Sequence, residues 1–202
     1  MNNTMTPLIC SGENTPSKPR LRQVLHEKIA YPCANHLRQD VSKGIMTPAI
    51  ELLNSLGHPF ELLEYDHPPN SKDYGVAASL ALGIQAQQIY KTLLWQLNTR
   101  AVVVAMVAAD AQISAKALAK RAGAKRAEML DAREAESLTG YLIGGISPLG
   151  QKRQFPFYID DTIMALETVY VSGGQRGLEI GIAPSLLIEL TRASLGSIKQ
   201  ID

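Results

Sequence analysis

The stretch Ile89-Tyr90-Lys91-Thr92-Leu93-Leu94-Trp95-Gln96-Leu97-Asn98-Thr99-Arg100-Ala101-Val102-Val103-Val104-Ala105-Met106-Val107-Ala108 decides the fold class. Its β-branched and aromatic residues, interrupted only by Asn98-Thr99-Arg100, read as two strands, 89–97 and 101–108, joined by a tight turn. Ala101 to Ala109 is the longest apolar run of the chain, a buried strand by its length and its valines. A link this short is no βαβ crossover, so the sheet is not built by strict alternation of strand and helix.

Outward from this pair, the flanking segments mix helices and strands. On the N-terminal side, Thr47 caps a helix with Pro48 at its first position, and Gly57 stops it. Phe60 to Tyr65 reads as a strand, Asp66-His67-Pro68-Pro69-Asn70 as a loop, and about Asp73 to Leu82 as a helix ending at Gly83. On the C-terminal side, Ser114 caps a helix from Ala115 to Ala122, and Asp131 with Glu134 forms a capping box for a short helix to Leu138. Phe157 to Ile159 and Thr168 to Val171 are strands. Ser172-Gly173-Gly174-Gln175 turns the chain into Leu178 to Ile182, and Pro184 opens a last helix through Arg192. The pattern implies an α+β domain with a mixed, barrel-like sheet and helices around it.

The 202 residues suffice for one domain with a sizeable core. No apolar run approaches the roughly 20 residues that span a bilayer, so no membrane partner is expected. A net charge of +1 supplies no global field for nucleic acid, and RNA binding would need a local patch. The cluster Lys116, Lys120, Arg121, Lys125 and Arg126 is that patch, or else a solvated helix face. Both cysteines, Cys10 and Cys33, precede residue 45, so a disulfide framework is not expected and the cytoplasm is the default compartment. Residues 1–45, rich in Asn, Thr, Ser and Pro, read as a disordered extension or as sequence upstream of a start at Met46. The abrupt onset of a folded domain at residue 46 favours the second.

The domain holds two histidines after residue 45, His58 and His67, and no cysteine, so neither a zinc site nor a Cys/His nucleophile pair can be assembled. No nucleophile elbow, Walker loop or dinucleotide fingerprint occurs, and no metal or cofactor is expected. Two features stand out. Period-two alternation puts Lys91 on one face with Leu93, Trp95 and Leu97, where an ammonium needs a partner, a bound anion or a route to water. The second is Gly140-Tyr141-Leu142-Ile143-Gly144-Gly145-Ile146-Ser147-Pro148-Leu149-Gly150, whose glycines supply little apolar area. Gly144 and Gly145 leave the amides of residues 144–146 uncovered and Ser147 adds a hydroxyl. This is a nest for an anion or a developing oxyanion, or a plain Gly/Pro turn.

The blocks Met46-Thr47-Pro48-Ala49-Ile50, Tyr65-Asp66-His67, Tyr90-Lys91-Thr92-Leu93-Leu94, Thr139 to Lys152, and Tyr170 to Leu178 occur in order over residues 46–202. In this the chain resembles the YbaK/EbsC family, and within it the bacterial Cys-tRNA(Pro) deacylases. The resemblance implies a mixed barrel-like core and removal of cysteine from mischarged tRNA in trans, a correction needed because a small synthetase pocket discriminates by only about 1–3 kcal/mol. It implies Lys91 and the amides of Gly144, Gly145 and Ile146 as the catalytic set, with Tyr65, Thr92, Ser172 and the acidic Glu179 around the substrate. Aminoacylated tRNA and prolyl-tRNA synthetase are the implied partners, with no DNA. Glu179 stands where relatives commonly carry Asp, and Leu138 where Ser usually precedes Thr139-Gly140. The implied chemistry is substrate-assisted, the cysteine thiol attacking its own ester. Removal of alanine from tRNA(Pro) and non-catalytic binding of tRNA or a synthetase are the rival readings.

Overall fold

The computed structural model describes residues 45–67 and 73–200. The readings of residues 1–44 and of Pro68-Pro69-Asn70 lie outside them.

Helix α1, Pro48–Leu56, starts where Thr47 Oγ1 accepts from Ile50 N at 3.4 Å and ends at Gly57, whose N–H returns to Asn54 O. Strand β1 is Glu61–Glu64, and helix α2, Tyr74–Leu82, is capped by Asp73. Strands β2, Ile89–Leu97, and β3, Val102–Ala108, form the expected pair, antiparallel from Tyr90↔Ala108 to Gln96↔Val102. Helix α3 is Ala115–Arg121, β4 Ala127–Met129 and α4 Ala132–Thr139. They are followed by β5 Phe157–Ile159, β6 Val169–Ser172, β7 Leu178–Ile182, α5 Pro184–Thr191 and β8 Ser194–Leu195. Asp131 caps α4 by accepting from the amides of Arg133 and Glu134.

The sheet is mixed and runs β1-β7-β6-β2-β3-β5-β8, with β4 beside β2 off this path. The helices lie on an α+β frame as expected, but the sheet is open and not closed like a barrel. Closure needs a ladder between the end strands, and β8 is two residues long. Strands β4 and β8 are not marked in the sequence: β8 is two residues long, and β4, Ala127-Glu128-Met129, holds no β-branched or aromatic residue, unlike the equally short Phe157-Tyr158-Ile159 of β5.

Its two faces bury different clusters. Tyr90, Leu94, Met106, Ile159, Val171 and Ile180 share the larger core with Ala49, Ile50 and Leu53 of α1 and Leu187 of α5. On the opposite face Trp95, Leu97, Val103 and Ala105 pack under Leu118 and Ala119 of α3, and Ile89 and Ala109 meet Ala78 of α2. Lys91 belongs to this second face, as the alternation required.

Strand β3 takes one edge of β2 along its length, so β6 and β4 share the other. The ladder with β6 stops at Tyr90↔Val171, and that with β4 begins at Trp95↔Met129. Between them β2 has no strand partner on that edge among the described residues. Ile89 O accepts from Ala109 on the β3 side, whereas Leu94 O accepts from Leu130 on the other side. By the same parity the peptide N–H and C=O of Thr92 face the gap.

Candidate active site

The glycine segment leaves α4 at Gly140 and is braced by its own hydrogen bonds. Tyr141 Oη donates to Leu149 O at 2.7 Å, Ile143 N donates to Glu136 Oε1 at 2.8 Å, and Gln151 Nε2 to Ser147 O at 2.8 Å. Gly144 has φ +85°, and a Cβ there would stand 2.4 Å from Tyr74 Cε1. A Cβ on Gly145 would meet the backbone of Gln175 at 2.8 Å. These glycines let the segment close against Tyr74 on one side and the β6–β7 turn on the other. That turn is tied to the start of α1 by Thr47 Oγ1, which donates to Gly173 O at 2.5 Å.

Of the three amides expected to be open, one is not. Gly145 N donates to Leu142 O at 2.9 Å, closing a turn inside the segment. The amides of Gly144 and Ile146 make no hydrogen bond among the described residues. Ile146 is buried in the larger core, and Ser147 is fully buried with its Oγ accepting from Leu149 N at 3.3 Å. The Ser147 hydroxyl therefore braces the loop and is not presented to a ligand, because residues 147–149 turn inward toward the core.

Lys91 is half-buried and its Nζ donates to Ala109 O at 3.0 Å and Ala111 O at 2.8 Å. No carboxylate lies within ion-pair distance of it among the described residues. A Cβ on Gly75 would touch Lys91 Cγ at 3.4 Å and Ala109 Cβ at 2.8 Å, so the glycine lets α2 settle directly on the lysine. Tyr74 and Gly75, consecutive residues of α2, thus touch Gly144 and Lys91 respectively. Helix α2 therefore contacts both the glycine loop and the stem of the lysine.

Thr92 turns its side chain to the opposite face from Lys91. It is buried with Oγ1 unpartnered, while its peptide group faces the gap in the sheet. Parallel pairing of Ile89 with Tyr170 and Tyr90 with Val171 puts Lys91 beside Ser172, and Ser172 pairs with Glu179 on β7. Lys91, Ser172 and Glu179 therefore form a row across three neighbouring strands on one face. Ser172 Oγ accepts from Gly174 N at 3.4 Å. Glu179 is 7% exposed with Oε2 unpartnered, and burial pushes its carboxyl up to about 8. Burial, then the Glu179 charge, raises the Tyr65 hydroxyl to about 12, so Tyr65 stays protonated at neutral pH.

Three residues of this neighbourhood were not singled out from sequence. His67 stacks on Tyr74 with ring centroids 5.0 Å apart and planes at 22°, and Tyr65 meets His67 edge-on at 6.2 Å. Arg176 lies over the other partner of this row, its Cζ 5.2 Å from the Tyr74 centroid, with Nε donating to Ile143 O at 2.8 Å. The available signal was the Tyr74-Gly75 pair at a helix start, since an aromatic followed by glycine marks a close approach.

The basic cluster is exposed but partly engaged. Arg121 donates to Leu195 O, and Arg126 pairs with Glu128 at 3.0 Å. Lys116, Lys120 and Lys125 have no ion-pair partner among the described residues. Helix α3 covers the sheet face that carries Lys91, some six residues further along β2, or roughly 20 Å at the rise of a strand. Among the described residues no three His, Cys, Asp or Glu side chains group to hold a metal ion, and no helix is long and apolar enough to cross a membrane.

Residues 69–190 match the sequence profile of the aminoacyl-tRNA editing domain. The chain belongs to the aminoacyl-tRNA editing family. Within this family it is 38% identical over 130 residues to EbsC of Enterococcus faecalis, a proposed Cys-tRNA(Pro)/Cys-tRNA(Cys) deacylase, covering 63% of this chain and 79% of EbsC. It is 30% identical over 114 residues to YwhH of Bacillus subtilis, covering 56% of this chain and 72% of that protein. Among solved structures, hypothetical protein APE2540 superposes with TM-score 0.68 at 25% identity, over 76% of this editing-family chain and all of that one. A protein described as a proposed trans-editing enzyme for prolyl-tRNA synthetase superposes with TM-score 0.67 at 22% identity, over 78% and 100% of the two chains. The last likeness bears on fold alone, and it agrees with the mixed sheet and its helices.

Proposed function

We propose that this editing-family protein removes cysteine from Cys-tRNA(Pro), acting in trans to prolyl-tRNA synthetase, by attack of the substrate's own thiol. The observation that carries the reading is that α2 touches both the glycine loop, through Tyr74 at Gly144, whose amide is unpartnered as is that of Ile146, and the stem of Lys91, through Gly75. Such a set stabilises negative charge and brings no nucleophile. The 38% identity to EbsC supports cysteine as the amino acid.

In the reaction the cysteine sulfur bonds to its own carbonyl carbon, and the bond from that carbon to the ribose oxygen breaks. The thiol proton goes to the leaving ribose oxygen, and a small thiolactone departs. The amides of Gly144 and Ile146 hold the carbonyl oxygen as it gains charge, each critical donor contributing about 3–4 kcal/mol. Lys91, fixed by the two carbonyls, adds its field or takes a phosphate of the terminal nucleotide. Glu179 and Ser172 face the amino group, and the Tyr65 hydroxyl walls the pocket as a neutral donor. Holding the thiol near the carbonyl supplies the remaining acceleration.

The test is turnover of Cys-, Ser- and Ala-tRNA(Pro) by the purified protein and by Lys91→Ala. Cys-tRNA(Pro) is cleaved fastest, Ser-tRNA slowly because its hydroxyl is a poorer nucleophile, and Lys91→Ala nearly abolishes the reaction. Equal rates on Cys- and Ser-tRNA would exclude thiol attack, and preference for Ala-tRNA(Pro) would move the specificity to alanine.

A further inference from the structure

Arg176 stands behind the peptide that joins Ile143 to Gly144. Its Nε donates to Ile143 O at 2.8 Å while its guanidinium rests over the Tyr74 ring, which itself stacks on His67 and fills the space beside Gly144. No cis peptide occurs among the described residues. In a trans peptide the C=O and N–H leave the plane's axis in opposite directions, so whatever holds the carbonyl of Ile143 also aims the N–H of Gly144. Gly144, at φ +85° and without a side chain, cannot hold that plane by itself. The arginine and the ring do it from outside.

The bond also changes the donor. A cation on a carbonyl oxygen draws density toward it, and the N–H at the far end of the same peptide becomes a stronger donor. Among the described residues no carboxylate is seen in an ion pair with Arg176.

We propose that Arg176 is a positioning residue for deacylation: through Ile143 O it orients and polarises the Ile143–Gly144 peptide, presenting Gly144 N–H to the substrate's carbonyl oxygen. This rests on the role given to Gly144 N–H under the proposed function.

Three readouts on Arg176→Ala and Arg176→Lys test it. In steady-state assays with Cys-tRNA(Pro), Arg176→Ala lowers kcat about tenfold with KM within twofold. Added methylguanidine restores part of that loss in Arg176→Ala, and Arg176→Lys, lacking the planar Nε–H, recovers less. In amide NMR spectra the Gly144 proton moves upfield in Arg176→Ala, whether or not the protein turns over. A change confined to KM, or loss of folding in both variants without methylguanidine rescue, overturns the positioning role. An unmoved Gly144 resonance overturns the link to the peptide itself. If the resonance moves and kcat does not, the arginine does not serve the reaction and Gly144 N–H is not the donor. Failure of the wild type on every aminoacyl-tRNA would sink the proposed function, while the resonance still decides whether Arg176 governs the peptide.

Discussion

Replacing Gly144 by alanine isolates the part of the site that depends on backbone alone. The new Cβ would stand 2.4 Å from Tyr74 Cε1, against a carbon–carbon contact of about 3.5 Å, so something must give by about 1.1 Å. The ring has little freedom, being stacked on His67 and covered by Arg176, so the loop retreats or the stack breaks. Retreat of the loop moves the Gly144 amide by about 1 Å, a misplacement that costs on the order of 100-fold in rate, and a broken stack loosens Arg176 from behind the Ile143–Gly144 peptide. Holding alanine at φ +85° adds about 1–2 kcal/mol of strain, and each kcal/mol lowers Tm by about 2–4 °C in a chain of this size. Gly57→Ala is the control, with φ +68° and nothing within 4 Å of the added carbon, so it carries strain without collision. Single-turnover deacylation of Cys-tRNA(Pro), alongside thermal melts of both variants, separates the two effects. Both melt lower, and Gly144→Ala alone loses turnover. Turnover of Gly144→Ala within threefold of the wild type would refute the reasoning.

Glu179→Gln removes a group whose folded pKa is raised from 4.5 to about 8 by burial. The stability tied to its neutral form is complete below pH 4.5 and is lost as pH rises through about 8. The stability advantage of Glu179→Gln over the wild type therefore grows across that window, by several kcal/mol at 1.36 kcal/mol per unit, and is read as a widening Tm difference; a constant difference would show that the carboxyl is not buried as described. Asp160 accepts from the amides of Ile198 and Lys199 through one oxygen and from the Thr162 hydroxyl through the other. Burial alone would raise its carboxyl, but these bonds hold it below its ordinary 3.8. Its contribution is present above pH 3.8 and fades as pH falls through the lower folded value. Asp160→Asn orphans at least one buried amide and costs about 2 kcal/mol at neutral pH, read as a lower denaturant midpoint; an unchanged midpoint would refute the clamp. Reversing Lys116, Lys120 and Lys125 to glutamate raises KM for tRNA and flattens its salt dependence by about one unit of slope per lost phosphate contact. An unaltered salt slope would return the three lysines to a solvated face.

Local chemistry made much of this protein legible in its sequence. Thr47-Pro48 and Gly57 bound α1, Asp131 caps α4, and the alternation in 89–97 places Lys91 apart from the larger core, because caps, turns and period-two burial are decided by a few adjacent residues. The glycine segment was recognisable as a place where backbone acts. Its donors were not, since whether an amide is free depends on carbonyls brought to it by folding. Leu142 O takes the amide of Gly145, and the inward turn of residues 147–149 removes the Ser147 hydroxyl. Thr92 lies next to Lys91 in the chain and on the opposite face in the sheet, so only its peptide group reaches the gap. Arg176 is 32 residues from Gly144 in sequence, and nothing local ties the two. Residue types and spacing fixed the elements and the kind of chemistry available. Which groups face one another was decided by non-local packing, chiefly of α2 and the β6–β7 turn around the glycine loop, because only tertiary contact spends some donors and leaves others open.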